Sequence, residues 1–85
     1  MSEELELLKK RLLYRSSYRG TKEMDILLSS FVKKNINNFN ETELRSLEEF
    51  LNFEDETILN FYNFDIIENK INNNPISKIF KRFKI

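Results

Sequence analysis

Apolar positions recur along this chain at intervals of three and four residues, the spacing of one face of an α-helix. Leu5, Leu8 and Leu12 share such a face within residues 3–17, and Leu7, Leu13 and Tyr14 are expected to widen it. Ser16 and Ser17, weak helix formers, mark the end of that segment. Met24, Leu27, Leu28, Phe31 and Val32 form the clearest stripe and predict a helix over 21–36, capped by Thr21 or Gly20. Lys33 and Lys34 close it where cations suit the helix dipole. Between these helices, residues 18–20 form a predicted tight turn around the one glycine, which enters left-handed conformations without a Cβ penalty.

The Asn-rich stretch 35–40 reads as a loop. Asn40 stands three residues before Glu43, a variant of the capping box, and opens a helix over 41–52 that buries Leu44, Leu47 and Leu51, with Phe50 beside them. Asp55 is the expected N-cap of a short helix over 56–63 carrying Ile58, Leu59, Phe61 and Tyr62. Residues 65–68 are read as one or two further turns and 72–74 as a loop. Asn74 followed by Pro75 is an N-cap with proline at the first helical position, and Ile76, Ile79, Phe80 and Phe83 continue as a last stripe. Strand-like alternation does not persist and no internal repeat occurs. The pattern predicts an all-α chain, a compact single-domain bundle of four to five short helices over residues 1–85.

Composition narrows the chemistry. With 85 residues and 40% hydrophobic content, the chain can form one small core. It has no Cys and no His, so disulfides, thiolate metal sites and a Ser-His-Asp arrangement are out of reach. No catalytic residue and no metal ligand set is assigned. The formal net charge of zero lacks the basic footprint of a nucleic-acid binder. One glycine cannot build a Gly-rich phosphate loop. No apolar run is long enough to span a membrane. The acidic start, Met1-Ser2-Glu3-Glu4, resembles neither a signal peptide nor an Arg-rich transit peptide, so a bacterial cytoplasmic location is expected ahead of a mitochondrial matrix one.

Charge is distributed unevenly. Residues 41–56 hold seven acids (41, 43, 48, 49, 54, 55, 56) against Arg45, and residues 76–85 hold four bases (78, 81, 82, 84) and no acid. Two readings follow: the opposite ends attract or are solvated, or the basic tail touches a partner.

The bend around Gly20 carries more charge than a helix-to-helix turn needs, with Arg15, Arg19, Lys22, Glu23 and Asp25 close by. Arg19 and Glu23 are four apart and share a side if the second helix begins near Arg19. Gly20 lets another backbone approach, Thr21 adds a small hydroxyl, and the first N–H groups of the following helix favour anionic groups. One reading is a polar knob suited to docking on a protein; the other is an ordinary turn with an intrahelical Arg–Glu pair.

The run Arg11-Leu-Leu-Tyr-Arg-Ser16, followed by Arg19-Gly-Thr-Lys-Glu-Met-Asp-Ile-Leu-Leu28, resembles the SdhE family, called succinate dehydrogenase assembly factor 2 in mitochondria. The hallmark Arg-Gly-x-x-Glu stands here as Arg19, Gly20 and Glu23, with Asp25 two residues on. The acidic Leu/Phe-rich segment at 41–51, the stretch Asp55 to Phe61 and the Pro75-led last helix agree, so the resemblance spans residues 8–83. Three positions depart from it: Tyr18 where many members have a basic residue, Thr21 where many have Met, and Phe61 where Trp is frequent.

The resemblance implies a bundle of about five helices and a non-enzymatic assembly factor. Its partner would be the flavoprotein subunit of succinate dehydrogenase and, in some members, that of fumarate reductase. It implies that covalent FAD attachment to a His of that client is promoted, with no FAD held stably by the factor. Arg19, Gly20 and Glu23, then Asp25, are the partner-binding residues that the resemblance implies; Arg15 and Thr21 are added from the charged bend itself, and Arg19 is expected to pair with client carboxylates or backbone oxygens. A monomer is expected in the free state. The other readings are a carrier of free FAD, a small helical nucleic-acid binder, and a regulatory module of antitoxin type.

Overall fold

A computed structural model describes residues 3–64 and 69–84. Six helices follow one another in chain order: α1 (Glu3–Ser17), α2 (Lys22–Asn35), α3 (Glu41–Phe50), α4 (Asp55–Phe64), α5 (Asn69–Asn72) and α6 (Pro75–Arg82). A 3-10 turn at Ile36–Asn38 extends α2 into the stretch expected to be loop. No strand occurs among the described residues, in keeping with the all-α expectation. No described helix is long and apolar enough to cross a membrane. The turns expected at 65–68 lie outside the described residues.

Three of the expected caps are where the side chains foretell them. Thr21 Oγ1 accepts from the Met24 N–H at 3.3 Å. Asn40 and Glu43 form the full reciprocal box: the Glu43 N–H donates to Asn40 Oδ1 at 2.8 Å and the Asn40 N–H donates to Glu43 Oε1 at 2.9 Å. Asn74 Oδ1 accepts from the Ile76 N–H at 2.8 Å, and its Nδ2 donates to the Ser46 carbonyl at 2.8 Å. That second bond ties the start of α6 to the side of α3. Asp55, expected as an N-cap, is instead the first residue of α4; the Glu54 carbonyl takes the first helical bond, from the Ile58 N–H.

One apolar core joins the helices. Leu8 and Leu12 from α1 meet Met24, Leu28, Phe31 and Val32 from α2, while Leu44, Leu47 and Phe50 come from α3. Ile58, Ile71, Ile76 and Phe80 close it from the C-terminal half. Phe80 is the aromatic hub: its ring lies 5.1 Å from Phe31, 5.2 Å from Phe50 and 4.9 Å from Tyr62, measured between centroids. Such edge and tilted contacts are worth about 0.5–1.5 kcal/mol each beyond burial.

Two positions on α1 correct the sequence reading. Leu7 and Tyr14 do not widen the buried face; they are 60% and 66% exposed. The buried stripe runs through Leu8, Lys9, Leu12 and Ser16, and Leu13 is half-buried against the core. The polar members of the stripe are accommodated: Ser16 Oγ donates to the Leu13 carbonyl at 2.8 Å, and Lys9 keeps its ammonium 3.8 Å from Glu6 while its stem is covered.

Candidate functional site

The α1–α2 bend is closed by its own polar groups. Gly20 has φ +117°, a conformation L side chains rarely adopt, and a Cβ built there would meet no atom beyond its chain neighbours within 4 Å. The glycine therefore serves backbone geometry and leaves open space above it. On its far side Thr21 caps α2, and the Thr21 carbonyl accepts the Asp25 N–H at 3.0 Å. The Asp25 carboxylate accepts the backbone N–H of Arg19, so the residues before and after Gly20 are stitched together.

The Arg19 side chain leaves the bend and enters a second one, between α3 and α4. Its Nε donates to Asp55 Oδ1 at 2.9 Å, Nη2 donates to the Phe53 carbonyl at 2.7 Å, and Nη1 donates to the Leu51 carbonyl. Carbonyls at the end of a helix lack intrahelical donors, and a planar guanidinium can serve several at once. Only 11% of the Arg19 side chain is exposed, against 28% for Asp55. Arg19 thus pairs with Asp55, not with Glu23. The i, i+4 arrangement fails because α2 begins at Lys22, which leaves Arg19 outside the helix.

Arg11, Arg15 and Arg19 form a ladder at intervals of four. Arg11 Nη2 lies 3.7 Å from Glu48, Arg15 Nη2 donates to Asn52 Oδ1, and Arg19 takes the acceptors beyond. Part of the acid-rich stretch 41–56 is therefore matched by the arginines of α1 and the bend. The basic tail makes another contact: Lys81 Nζ donates to the Phe61 and Tyr62 carbonyls at 2.6 and 3.0 Å. The sequence reading missed this ladder, although the regular spacing of Arg11, Arg15 and Arg19 was its available signal.

The expected site residues thus separate into two sets. Gly20, Thr21 and Glu23 are exposed, along with Lys22. Arg15, Arg19 and Asp25 are partly buried and make internal hydrogen bonds. The outward set is continued by two residues that the sequence reading did not select: Tyr14 and Tyr18, 66% and 70% exposed, whose rings lie 4.5 Å apart between centroids. Exposed aromatic rings a few residues before a bare glycine backbone are of the type suited to protein contact.

Other chemistry finds less support. Among the described residues, no group of three or more Asp or Glu side chains is placed to hold a metal ion. The first turn of α2 carries Glu23 and Asp25, so the helix start beside Gly20 disfavours a diphosphate. A hollow of about 580 Å³ lies between the end of α3 and the α5–α6 turn and is lined by Glu49, Asn52, Phe53, Lys70, Asn74 and their neighbours. No phosphate cradle of glycines lines it.

Comparison with known proteins gives a consistent result. The profile of the family described as "Flavinator of succinate dehydrogenase" matches residues 10–84. Over 58 residues, 68% of this chain and 41% of the relative, the sequence is 43% identical to "Succinate dehydrogenase assembly factor 2, mitochondrial" of Dictyostelium discoideum. It is 45% identical over 49 residues to the Scheffersomyces stipitis protein of the same name, covering 58% of this chain and 33% of that one. It is 44% identical over 50 residues to "Succinate dehydrogenase assembly factor 2-B, mitochondrial" of Drosophila simulans, covering 59% and 32%. The matched segments span about a third to two fifths of these relatives.

Proposed function

This chain belongs to the family described as the flavinator of succinate dehydrogenase, and from that premise we propose that it binds the flavoprotein subunit of succinate dehydrogenase and promotes covalent attachment of FAD to it. It acts as an assembly factor, not as a catalyst in its own right. The observation that carries the reading is the exposed bend itself: a glycine backbone with open space above it, held in shape by partly buried arginine and aspartate contacts.

The FAD is the client's cargo. When bound there it supplies the reactive ring, and this chain's residues supply position. Gly20 lets a client segment approach the backbone, Thr21 and Glu23 offer polar contacts, and the Tyr14–Tyr18 pair offers flat apolar area. Holding the client so that flavin and acceptor side chain meet correctly lowers the barrier, at the limit by about 7–11 kcal/mol for well-oriented groups. Free FAD is not held stably by the factor, which acts as a monomer. The compartment is the one where the client matures. The relatives above are named as mitochondrial.

The test is reconstitution. The chain is mixed with recombinant flavoprotein subunit lacking covalent flavin and with free FAD, and covalent flavin is followed by in-gel fluorescence. Acceleration that Gly20→Arg removes is the expected result. No acceleration by the wild-type chain, with or without fumarate reductase flavoprotein as an alternative client, would remove the proposal.

A further inference from the structure

The bend that carries Gly20 is fixed on both flanks, and the two fixings differ in kind. After the glycine, Thr21 caps α2 and Asp25 holds the Arg19 N–H, all within one short segment. Before it, the hold is long-range: the Arg19 side chain reaches the α3–α4 bend, 36 positions away at Asp55. Of its three acceptors, the carbonyls of Leu51 and Phe53 belong to the backbone. Asp55 alone is a side chain and alone carries charge. An arginine whose side chain is only 11% exposed needs that charge, because a largely covered cation without a partner is drawn toward water. If the Arg19 side chain left its slot, the residue next to Gly20 would keep only the local Asp25 contact to its N–H, and the exposed face would lose its long-range support.

We infer that Asp55 is a positioning residue for client docking: it acts through Arg19, holding the Gly20 face in its binding shape without itself touching the client. This inference rests on the docking reading above. It assigns Arg19 a role unlike that expected of an exposed motif arginine, since its guanidinium is committed inward to Asp55, Leu51 and Phe53.

The experiment compares the wild-type chain with Asp55→Ala, Asp55→Glu, Arg19→Gln, the Asp55→Ala/Arg19→Gln double variant and Gly20→Arg. Flavinylation rate is measured against the concentration of recombinant flavoprotein subunit with FAD in excess, well below each variant's unfolding temperature. Amide exchange at residues 19–22 is measured in the free proteins. Asp55→Ala and Arg19→Gln should each raise the half-saturating client concentration by roughly tenfold, equal to about 1.4 kcal/mol. The saturated rate should be kept, and exchange at 19–22 should quicken. The double variant should be no worse than either single one, and Asp55→Glu, which keeps the charge, should recover most of the affinity. A fall in saturated rate with unchanged half-saturation would indicate partial unfolding and overturn the proposal. So would wild-type docking by Asp55→Ala alongside a loss in Arg19→Gln, which would make Arg19 a direct contact. Wild-type docking by Gly20→Arg is a separate outcome. It would overturn the docking reading and take the positioning role with it, leaving the faster exchange as a property of the fold alone.

Discussion

Arg19 donates its Nε to the Asp55 carboxylate at 2.9 Å, linking the bend between α1 and α2 to the bend between α3 and α4. The same guanidinium serves the carbonyls of Leu51 and Phe53, so one side chain satisfies acceptors at the end of one helix and the start of the next. An exposed salt bridge would contribute little. This one is largely covered and has two carbonyl partners, which places it among the stronger polar contacts of a small protein.

Arg19→Ala is expected to lower unfolding stability by roughly 2–3 kcal/mol, the range for lost hydrogen bonds to a charged group together with acceptors left unpaired. Arg19→Lys should recover only a minor part, because an ammonium cannot reproduce the planar fork that reaches Asp55, Leu51 and Phe53. Urea denaturation of the two variants beside wild type is the measurement. A shift under about 0.5 kcal/mol for Arg19→Ala, the range of ordinary surface changes, would show that the contacts are not formed in solution.

Gly20→Ala and Gly20→Arg should cost similar stability, about 1–3 kcal/mol each, because the penalty is the backbone conformation at φ +117° and not a clash. Open space above the glycine lets even a long side chain project outward. The two variants should separate in flavinylation, where arginine blocks the approach of a client and alanine obstructs it less. Matching denaturation midpoints with unequal flavinylation rates is the expected pair of results. A much lower midpoint for Gly20→Arg would reveal a steric conflict in the folded chain itself.

The helix starts were readable because they depend on neighbours in sequence. Thr21, the Asn40–Glu43 box and the Asn74–Pro75 pair each act within three residues, and all three stand where their side chains indicate. The Arg-Gly-x-x-Glu motif located the bend for the same reason. What the motif could not convey was the direction of each member. Arg19 finds Asp55 through tertiary packing, so an i, i+4 rule assigned it the wrong acid. The acidic stretch 41–56 was visible, but its match to Arg11, Arg15 and Arg19 required knowing that α1 packs beside α3. Tyr14 was misplaced because a leucine-rich helix offers apolar residues on more than one side.

Phe80→Ala should unfold the chain or nearly so. Emptying a buried aromatic site costs about 3–5 kcal/mol, a large part of the roughly 5–15 kcal/mol that holds a domain together. The loss is concentrated because Phe31, Phe50 and Tyr62, from three different helices, all pack on that ring. Phe80→Leu should be milder and keep a cooperative transition. Thermal melting followed by circular dichroism distinguishes the two. A Phe80→Ala chain with a wild-type midpoint would mean that α6 is not an integral wall of the core.

Leu7 and Leu12 occupy the same helix with opposite exposure, and their substitution tests which face of α1 is buried. Leu12 is fully buried, so Leu12→Ala should cost about 2–5 kcal/mol. Leu7 is 60% exposed, so Leu7→Ala should stay within about 0.5 kcal/mol. The contrast separates two registers of the helix, because a face containing Leu5, Leu8 and Leu12 leaves no room for Leu7 on the core side. Helix propensity does not confuse the result, since alanine is favourable at both positions. Parallel denaturation curves give the answer directly. Equal losses at the two sites would mean that α1 is rotated about its axis, and Tyr14 would then no longer be available on the exposed face.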